Sequence, residues 1–209
     1  MEVQVSVRIK IRLAEPGDAG ELLQIYAPYI LNTSVSFETE VPAVSEFAER
    51  IAETGSRYPY LVCLDDNRII GYAYATKHNV RKSYRFDANL SLYLHPHYHG
   101  TGIAYHFYDC LLDILQKLGY FNLYAIIAMP NEKSIRFHEK FAFNHIGTCR
   151  QSGFKLGGWH DVVWMDKRIN EMPNACTEPV DPLLIGELPV EYLEGVFRKY
   201  ASRIESATG

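Results

Sequence analysis

Between residues 99 and 104 the chain reads His-Gly-Thr-Gly-Ile-Ala, a run of mostly small residues between a strand-like and a helix-like segment. Backbone N–H groups crowd together at such a junction, because the first turn of a helix leaves its donors unpaired. With the helix dipole behind them they favour an anion, above all the oxygens of a phosphate. The spacing is not GxxxxGK[ST], since no lysine follows the last glycine, and it is not GxGxxG. Two glycines before a helix also make a plain tight turn, so both readings stand on the loop alone.

Other reactive residue types are more scattered. His95, His97 and His99 alternate, which in an extended segment sets three imidazoles on one side. No acid or cysteine follows at ligand spacing and Pro96 interrupts the strand, so no metal site is expected. Cys63, Cys110, Cys149 and Cys176 are far apart with no CxxC pair, and they read as thiols of a reducing compartment.

The elements that must position the loop follow from periodicity. Residues 5–13 alternate apolar and polar as a half-buried strand does. Asp18 is placed to cap a helix carrying Leu22, Leu23, Ile25, Tyr26 and Tyr29, and a second helix is expected over roughly 43–54. Strands at 60–65 and 68–76 flank Asp66-Asn67, a two-residue turn pattern. A basic, aromatic loop follows, with Lys77, His78, Arg81, Lys82, Tyr84 and Arg85, and leads into a long strand from Phe86 to His95. After the glycine loop a helix shows the stripe Ile103, Phe107, Leu111, Ile114 and Leu118 and stops at Gly119. Leu123–Met129 is continuously apolar, as a strand buried on both faces is. A helix starting at Pro130-Asn131 and two strands at 144–152 and 160–169 complete a mixed α/β domain over residues 1–169. Residues 170–209 differ in character, with Pro173, Pro179 and Pro182 as a linker and a short helix opened by Pro189. Leu193, Phe197, Tyr200 and Ile204 fall on one side of that helix, which is expected to dock on its own domain or on a second subunit.

Composition sets bounds. At 209 residues the chain can bury one substantial core. A net charge of −4 gives no reason to expect nucleic acid. No apolar run reaches the length of a membrane span and no signal-like segment is seen, so a cytoplasmic protein is expected.

The ordered set of motifs narrows function. Strand, glycine loop, helix and apolar strand are followed by Asn131-x-x-Ser134-x-x-x-His138-Glu139-Lys140-x-Ala142-Phe143. To these add Ser36-Phe37-Glu38-Thr39-Glu40, Tyr58-Pro59-Tyr60-Leu61-Val62, Gly71-Tyr72-Ala73-Tyr74-Ala75, Arg81-x-x-Tyr84 and Gly153-Phe154-Lys155-x-Gly157-x-Trp159-His160-Asp161-Val162. From about residue 9 to 169 this order resembles the GNAT superfamily of N-acetyltransferases, and within it the phosphinothricin acetyltransferase group.

The resemblance implies an α/β fold whose mixed central sheet is splayed between two strands, with flanking helices. It implies acetyl-coenzyme A as cosubstrate and a small amino acid or analogue as amine substrate. Leu92, Tyr93 and Leu94 would pair through their backbone with the pantetheine arm, while His99, Gly100, Thr101, Gly102, Ile103 and Ala104 hold the pyrophosphate. Asn131, with Ser134 in the same motif, would line the arm's channel, and Asn131 is equally suited to cap its helix. His138 stands where many members carry a tyrosine that protonates the departing thiolate, and a buried structural histidine is the alternative.

Three positions depart from the family. Asn89 occupies the place of a glutamate base, and an amide does not take up a proton. Asp87 or Glu38 acting through water, deprotonation by solvent, and loss of catalysis all remain open as consequences. His99 replaces an arginine or glutamine, and Ala142 a glycine. For the substrate, Arg81 and Lys77 suit a carboxylate, and Phe37, Tyr84, Tyr93 and Trp159 could wall a pocket. The family and the amphipathic tail together suggest a homodimer.

Overall fold

The computed structural model describes residues 8–172 and 178–208. Val5, where the first strand was expected to begin, and the tail positions Pro173 and Cys176 lie outside the described residues. The elements in chain order are β1 (Ile9–Leu13), α1 (Ala19–Asn32), α2 (Val44–Gly55), β2 (Tyr60–Asp65), β3 (Arg68–Lys77), β4 (Asp87–Leu94), α3 (Ile103–Leu118), β5 (Asn122–Ala128), α4 (Glu132–Lys140), β6 (Asn144–Lys155), β7 (Gly158–Arg168) and α5 (Val190–Thr208). Seven strands form one mixed sheet in the order β1-β2-β3-β4-β5-β7-β6.

Local chemistry explains the main junctions. Asp66 and Asn67 both take left-handed φ values, 44° and 71°, which is what a tight hairpin with the sheet's own twist requires. Asp18 precedes α1 as expected, but its side chain makes no cap hydrogen bond to the helix. It accepts instead from both Arg12 nitrogens, at 2.7 and 2.8 Å, and from the Glu15 amide at 2.8 Å. The charge partner therefore fixes the β1–α1 corner.

Alternation divides the sheet into two faces. Ala73, Ala75, Leu90, Leu94, Leu123, Ala125, Ile127, Val163 and Met165 form one core with α3 and α5. Tyr60, Val62, Leu64 and Tyr72 form the other with α1 and α2. On this second face Tyr60 and Tyr74 stack at 4.6 Å, and Tyr72 stacks on Tyr93 at 5.1 Å. Helices α1 and α2 rest on β2, β3 and β4, and among the described residues neither packs substantially on the second face of β5 and β7.

The tail helix is 19 residues long rather than short, and it lies on its own domain. Leu193, Val196, Tyr200 and Ile204 enter the first core, Lys199 pairs with Asp113 at 2.8 Å, and Glu205 accepts from the Ile9 amide at 2.9 Å. Residues 190–208 thus belong to the same packed unit as residues 9–169. The apolar stripe is already covered, and the reason it offered for a second subunit falls away.

Ala142, where the resemblance implies a glycine, sits at φ 56° one residue past the C-cap of α4. A Cβ in that conformation costs about 1–2 kcal/mol. Ala142→Gly is expected to relieve most of it, net of the extra freedom gained when unfolded. A calorimetric melting temperature roughly 2–4 °C higher per kcal/mol is the outcome to look for.

Candidate active site

Strands β4 and β5 are parallel neighbours for only three residue pairs, Asp87 with Asn122, Ala88 with Leu123 and Asn89 with Tyr124. Beyond Asn89 and Tyr124 they part. Leu90–Leu94 then faces Ala125–Ala128 across a cleft of about 530 Å³. That is the size of a small-molecule pocket, about 300–1,000 Å³. The separation leaves one edge of β4 with backbone donors and acceptors that β5 does not satisfy, and an extended amide-bearing ligand can pair there as an added strand.

The glycine loop closes one end. Gly100 and Gly102 lie at φ 80° and 87°, conformations that only glycine adopts without strain. The amides of Gly100, Thr101 and Gly102 have no backbone acceptor among the described residues, and α3 begins immediately after them. His99 turns its ring inward, with Nε2 3.0 Å from the Leu94 carbonyl and 3.0 Å from the Tyr29 hydroxyl. The Tyr29 hydroxyl also donates to that carbonyl at 2.7 Å. His99 therefore braces the end of β4, and the Leu94 carbonyl is already in use. His95 and His97 lie together, 4.9 Å apart, on the turn after β4, so the three imidazoles do not converge.

Among the residues expected to hold a cofactor, Leu92, Tyr93, Leu94, His99, Gly100, Ala104, Asn131 and Ser134 line the cleft; Thr101, Gly102 and Ile103 build the loop behind it. Asn131 accepts from the Ser134 amide at 3.2 Å, so it caps α4 while facing the cleft. His138 is also in the wall. Its Nδ1–H donates to the Ser134 carbonyl at 2.8 Å, and burial holds its pKa below the ordinary 6.5 against that hydrogen bond. The ring is thus neutral near pH 7 and offers a lone pair at Nε2, not a proton.

A group that sequence reasoning missed stands beside it. Tyr108, on α3, packs edge-on to His138 at 5.5 Å and lines the same cleft. Its hydroxyl is buried without a hydrogen-bond partner, and burial raises its pKa well above 10. A buried, unpartnered donor facing a cleft is a place for a ligand acceptor. In the sequence it lies outside the apolar stripe of α3, and nothing there marks it.

On the opposite face, Asn89, Ser91 and Tyr93 share one side of β4, as Tyr124 does of β5 and Trp164 of β7. Asn89 sits at the apex of the separation. Its Oδ1 is 2.8 Å from His78 Nδ1, and its Nδ2 donates to the Lys77 carbonyl at 3.4 Å. Of the acids proposed to replace it, Glu38 is engaged by Arg50 at 2.9 and 3.1 Å and by the Tyr26 hydroxyl at 3.1 Å. Asp87 is buried at the closed end of the ladder, where it accepts from Asn122 at 2.9 Å. Neither carboxylate reaches the opening as a free base.

Phe37 lies over Gly153, so close that any Cβ there would overlap its ring, and stands 6.3 Å from His160. Arg81 and Tyr84 lie exposed in the loop before β4, with Lys77 at its start. Trp159 has the opposite alternation from Trp164, is 62% exposed, and packs against Phe154 on the β6–β7 hairpin. Trp164 takes the position on the open face.

Among the described residues no group of His, Cys, Asp and Glu is arranged to hold a metal, and no helix is long and apolar enough to cross a membrane.

Comparison with known proteins agrees with this geometry. Residues 11–164 match the family model described as an acetyltransferase (GNAT) domain. A phosphinothricin N-acetyltransferase of Streptomyces viridochromogenes is 31% identical over 84% of this chain and 94% of its own. An L-methionine sulfoximine/L-methionine sulfone acetyltransferase of Salmonella typhimurium is 28% identical over 79% of this chain and 99% of its own. A crystal structure of a phosphinothricin acetyltransferase from Sinorhizobium meliloti in complex with AcCoA superposes with a TM-score of 0.78 at 31% identity, covering 87% of this chain and 98% of that one.

The neutral state of His138 makes a prediction independent of function. A histidine whose folded pKa lies below its unfolded 6.5 stabilises the fold fully above that pH and progressively less as pH falls towards the folded value. His138→Phe keeps the aromatic packing and removes the titration. Urea unfolding from about pH 7 down to pH 5 should show the variant losing less stability than the parent over that window.

Proposed function

The chain belongs to the GNAT acetyltransferase family, and from that premise we propose that it moves acetyl from acetyl-CoA to the amino group of a small amino acid or analogue, of the phosphinothricin or methionine sulfoximine kind. The observation that carries this reading is the free edge of β4 running towards a two-glycine loop at a helix start. Together they suit a ligand with an extended, amide-bearing arm and a phosphate-rich end. In this reading the backbone of Leu92 and Tyr93 pairs with the arm, and the amides of Gly100, Thr101 and Gly102 hold the pyrophosphate.

Amide formation from a thioester needs position, a neutral amine and help for the leaving thiolate. For the last need, Tyr108 is the better donor than His138, because its proton is present and unshared at neutral pH. A thiol of ordinary acidity, about 8.5, is a stronger acid than this phenol, so Tyr108 stabilises the thiolate by a hydrogen bond and keeps its proton. His138 orients that corner of the cleft with its fixed Nδ1–H.

The mouth of the open face is basic, with Lys77, Arg81 and Lys82, whereas the nearby carboxylates of Glu38 and Asp87 are already engaged. That charge selects an acceptor with its own carboxylate and disfavours polyamines. Arg81 is suited to grip the carboxylate with two parallel hydrogen bonds, with Tyr84, Phe37 and Tyr93 walling the side chain.

Two outcomes test this reading. Acetyl-CoA at about a hundred times its dissociation constant is expected to stabilise the protein by roughly 2.7 kcal/mol. Gly102→Val should remove the thermal shift, since a β-branched residue resists φ 87° and alters the amide cradle. No shift for the parent protein at millimolar cofactor contradicts the proposal. Arg81→Ala is expected to raise KM for an amino acid by the loss of about 1.5–3 kcal/mol, with kcat little changed. The same variant should leave the matching decarboxylated amine unaffected; an equal loss for both would mark Arg81 as structural.

A further inference from the structure

Resting on the acetyl-transfer reading, we infer that His78 is the proton acceptor for the incoming amine, held in its working tautomer by Asn89. The residue that removes the expected carboxylate is the one that fixes an imidazole in its place.

The geometry begins with the amide. Asn89 Nδ2 points at the Lys77 carbonyl, at 3.4 Å. The flipped amide would set two carbonyl oxygens against each other, so Oδ1 is the atom that faces His78. A carbonyl oxygen only accepts, so the 2.8 Å contact requires the proton on Nδ1. In the neutral ring Nε2 then carries the lone pair, and it has no hydrogen-bond partner among the described residues. An asparagine orients a catalytic histidine in the same way in cysteine proteases built on Cys, His and Asn.

Packing fixes the ring as well as the tautomer. His78 stacks on Tyr124 with centroids 4.0 Å apart and planes inclined by 22°, and it meets Trp164 edge-on at 6.1 Å. Tyr124 is paired with Asn89 at the last rung before β4 and β5 separate. The imidazole therefore stands at the apex of the opening, on the face away from α3, beside the loop that carries Arg81 and Tyr84. Its charged and titratable surroundings are Lys77 next in the chain, Tyr84 at 6.1 Å, Tyr124 beneath it, Asp166 paired with Tyr124, Arg168 two residues further on the same side of β7, and Asp87 two residues before Asn89. None of them hydrogen-bonds to either ring nitrogen.

The step balances without another reagent. The ammonium N–H bond breaks with its electron pair staying on nitrogen, and the proton passes to Nε2 of His78. The neutral amine attacks the acetyl carbonyl carbon, a C–N bond forms, and the C–S bond breaks with its pair leaving on sulfur. The new amide sheds its second proton to solvent, which also takes the proton from the imidazolium and supplies the thiolate.

The test combines a spectroscopic and a kinetic arm. Long-range proton–nitrogen NMR of the ring should show His78 protonated at Nδ1 in the parent protein, and Asn89→Leu should lose that preference. In kinetics, His78→Phe keeps the stack on Tyr124 but has no base. Its kcat/KM for the acceptor amino acid should fall about 10²–10⁴-fold near neutral pH, and the deficit should shrink as rising pH supplies free amine. Its thermal shift with acetyl-CoA should match the parent's, which separates a lost base from a lost fold. Asn89→Leu should show a smaller loss with a displaced pH profile, as expected of a positioning residue. An Nε2–H tautomer in the parent, or identical pH profiles for His78→Phe and parent, would overturn the assignment. A parent protein that binds acetyl-CoA yet acetylates no amino acid overturns the function itself, a result the two variants cannot mimic.

Discussion

The separation of β4 from β5 after Asn89 and Tyr124 is the constraint on which the rest of this structure depends. A parallel ladder normally runs the length of its strands, and each unmade rung leaves a donor and an acceptor to be satisfied elsewhere. Here the rungs are given up over Leu90–Leu94, and the cleft that results is lined by the backbone they leave free. The glycine loop, α3 and the cap of α4 at Asn131 are arranged around that gap. The strands are kept apart by what fills each side. Tyr29 and His99 tie the end of β4 through the Leu94 carbonyl, while β7 holds β5 along its full length.

The two faces of the sheet then take different tasks. On the face of α3 and α5 an apolar core supplies stability, each buried aliphatic side chain contributing about 1.5–3 kcal/mol, and α5 seals its outer edge. On the other face the tyrosines of β2, β3 and β4 build a rigid aromatic floor under α1 and α2 that stops short of β5 and β7. Where it stops, Asn89, His78, Tyr124 and Trp164 meet. In the proposed reading, a cofactor entering by the glycine loop and an amine entering over the open face would reach the same apex from opposite sides.

Much of this was legible in residues that have only one local solution. Asp66-Asn67 announced its hairpin because both positions need left-handed φ, and the two glycines before Ile103 announced a helix start able to hold an anion. The tail was less readable, since an amphipathic stripe states that a face is buried without saying what buries it. Trp159 and Trp164 lie on opposite sides of β7, which a motif alone does not disclose, and it is Trp164 that meets His78. The contact between His78 and Asn89 was hidden for a different reason. It depends on the register that sets Lys77 opposite Ala88, so a substitution that looked like the loss of a base could not be seen as half of a pair. Tyr108 has no mark in the sequence, lying outside the apolar stripe of its helix, and only the burial of its unpartnered hydroxyl singles it out.

The central claim is that the separated strands form a site for acetyl transfer to an amino acid. The most direct measurement is release of free thiol from acetyl-CoA in the presence of purified protein and a panel of L-amino acids and analogues, phosphinothricin and methionine sulfoximine among them, with the product identified by mass. The expected result is thiol release that depends on the added amine and matches the N-acetylated product one for one. Saturable binding of acetyl-CoA with no amine-dependent thiol release from any member of the panel would contradict it.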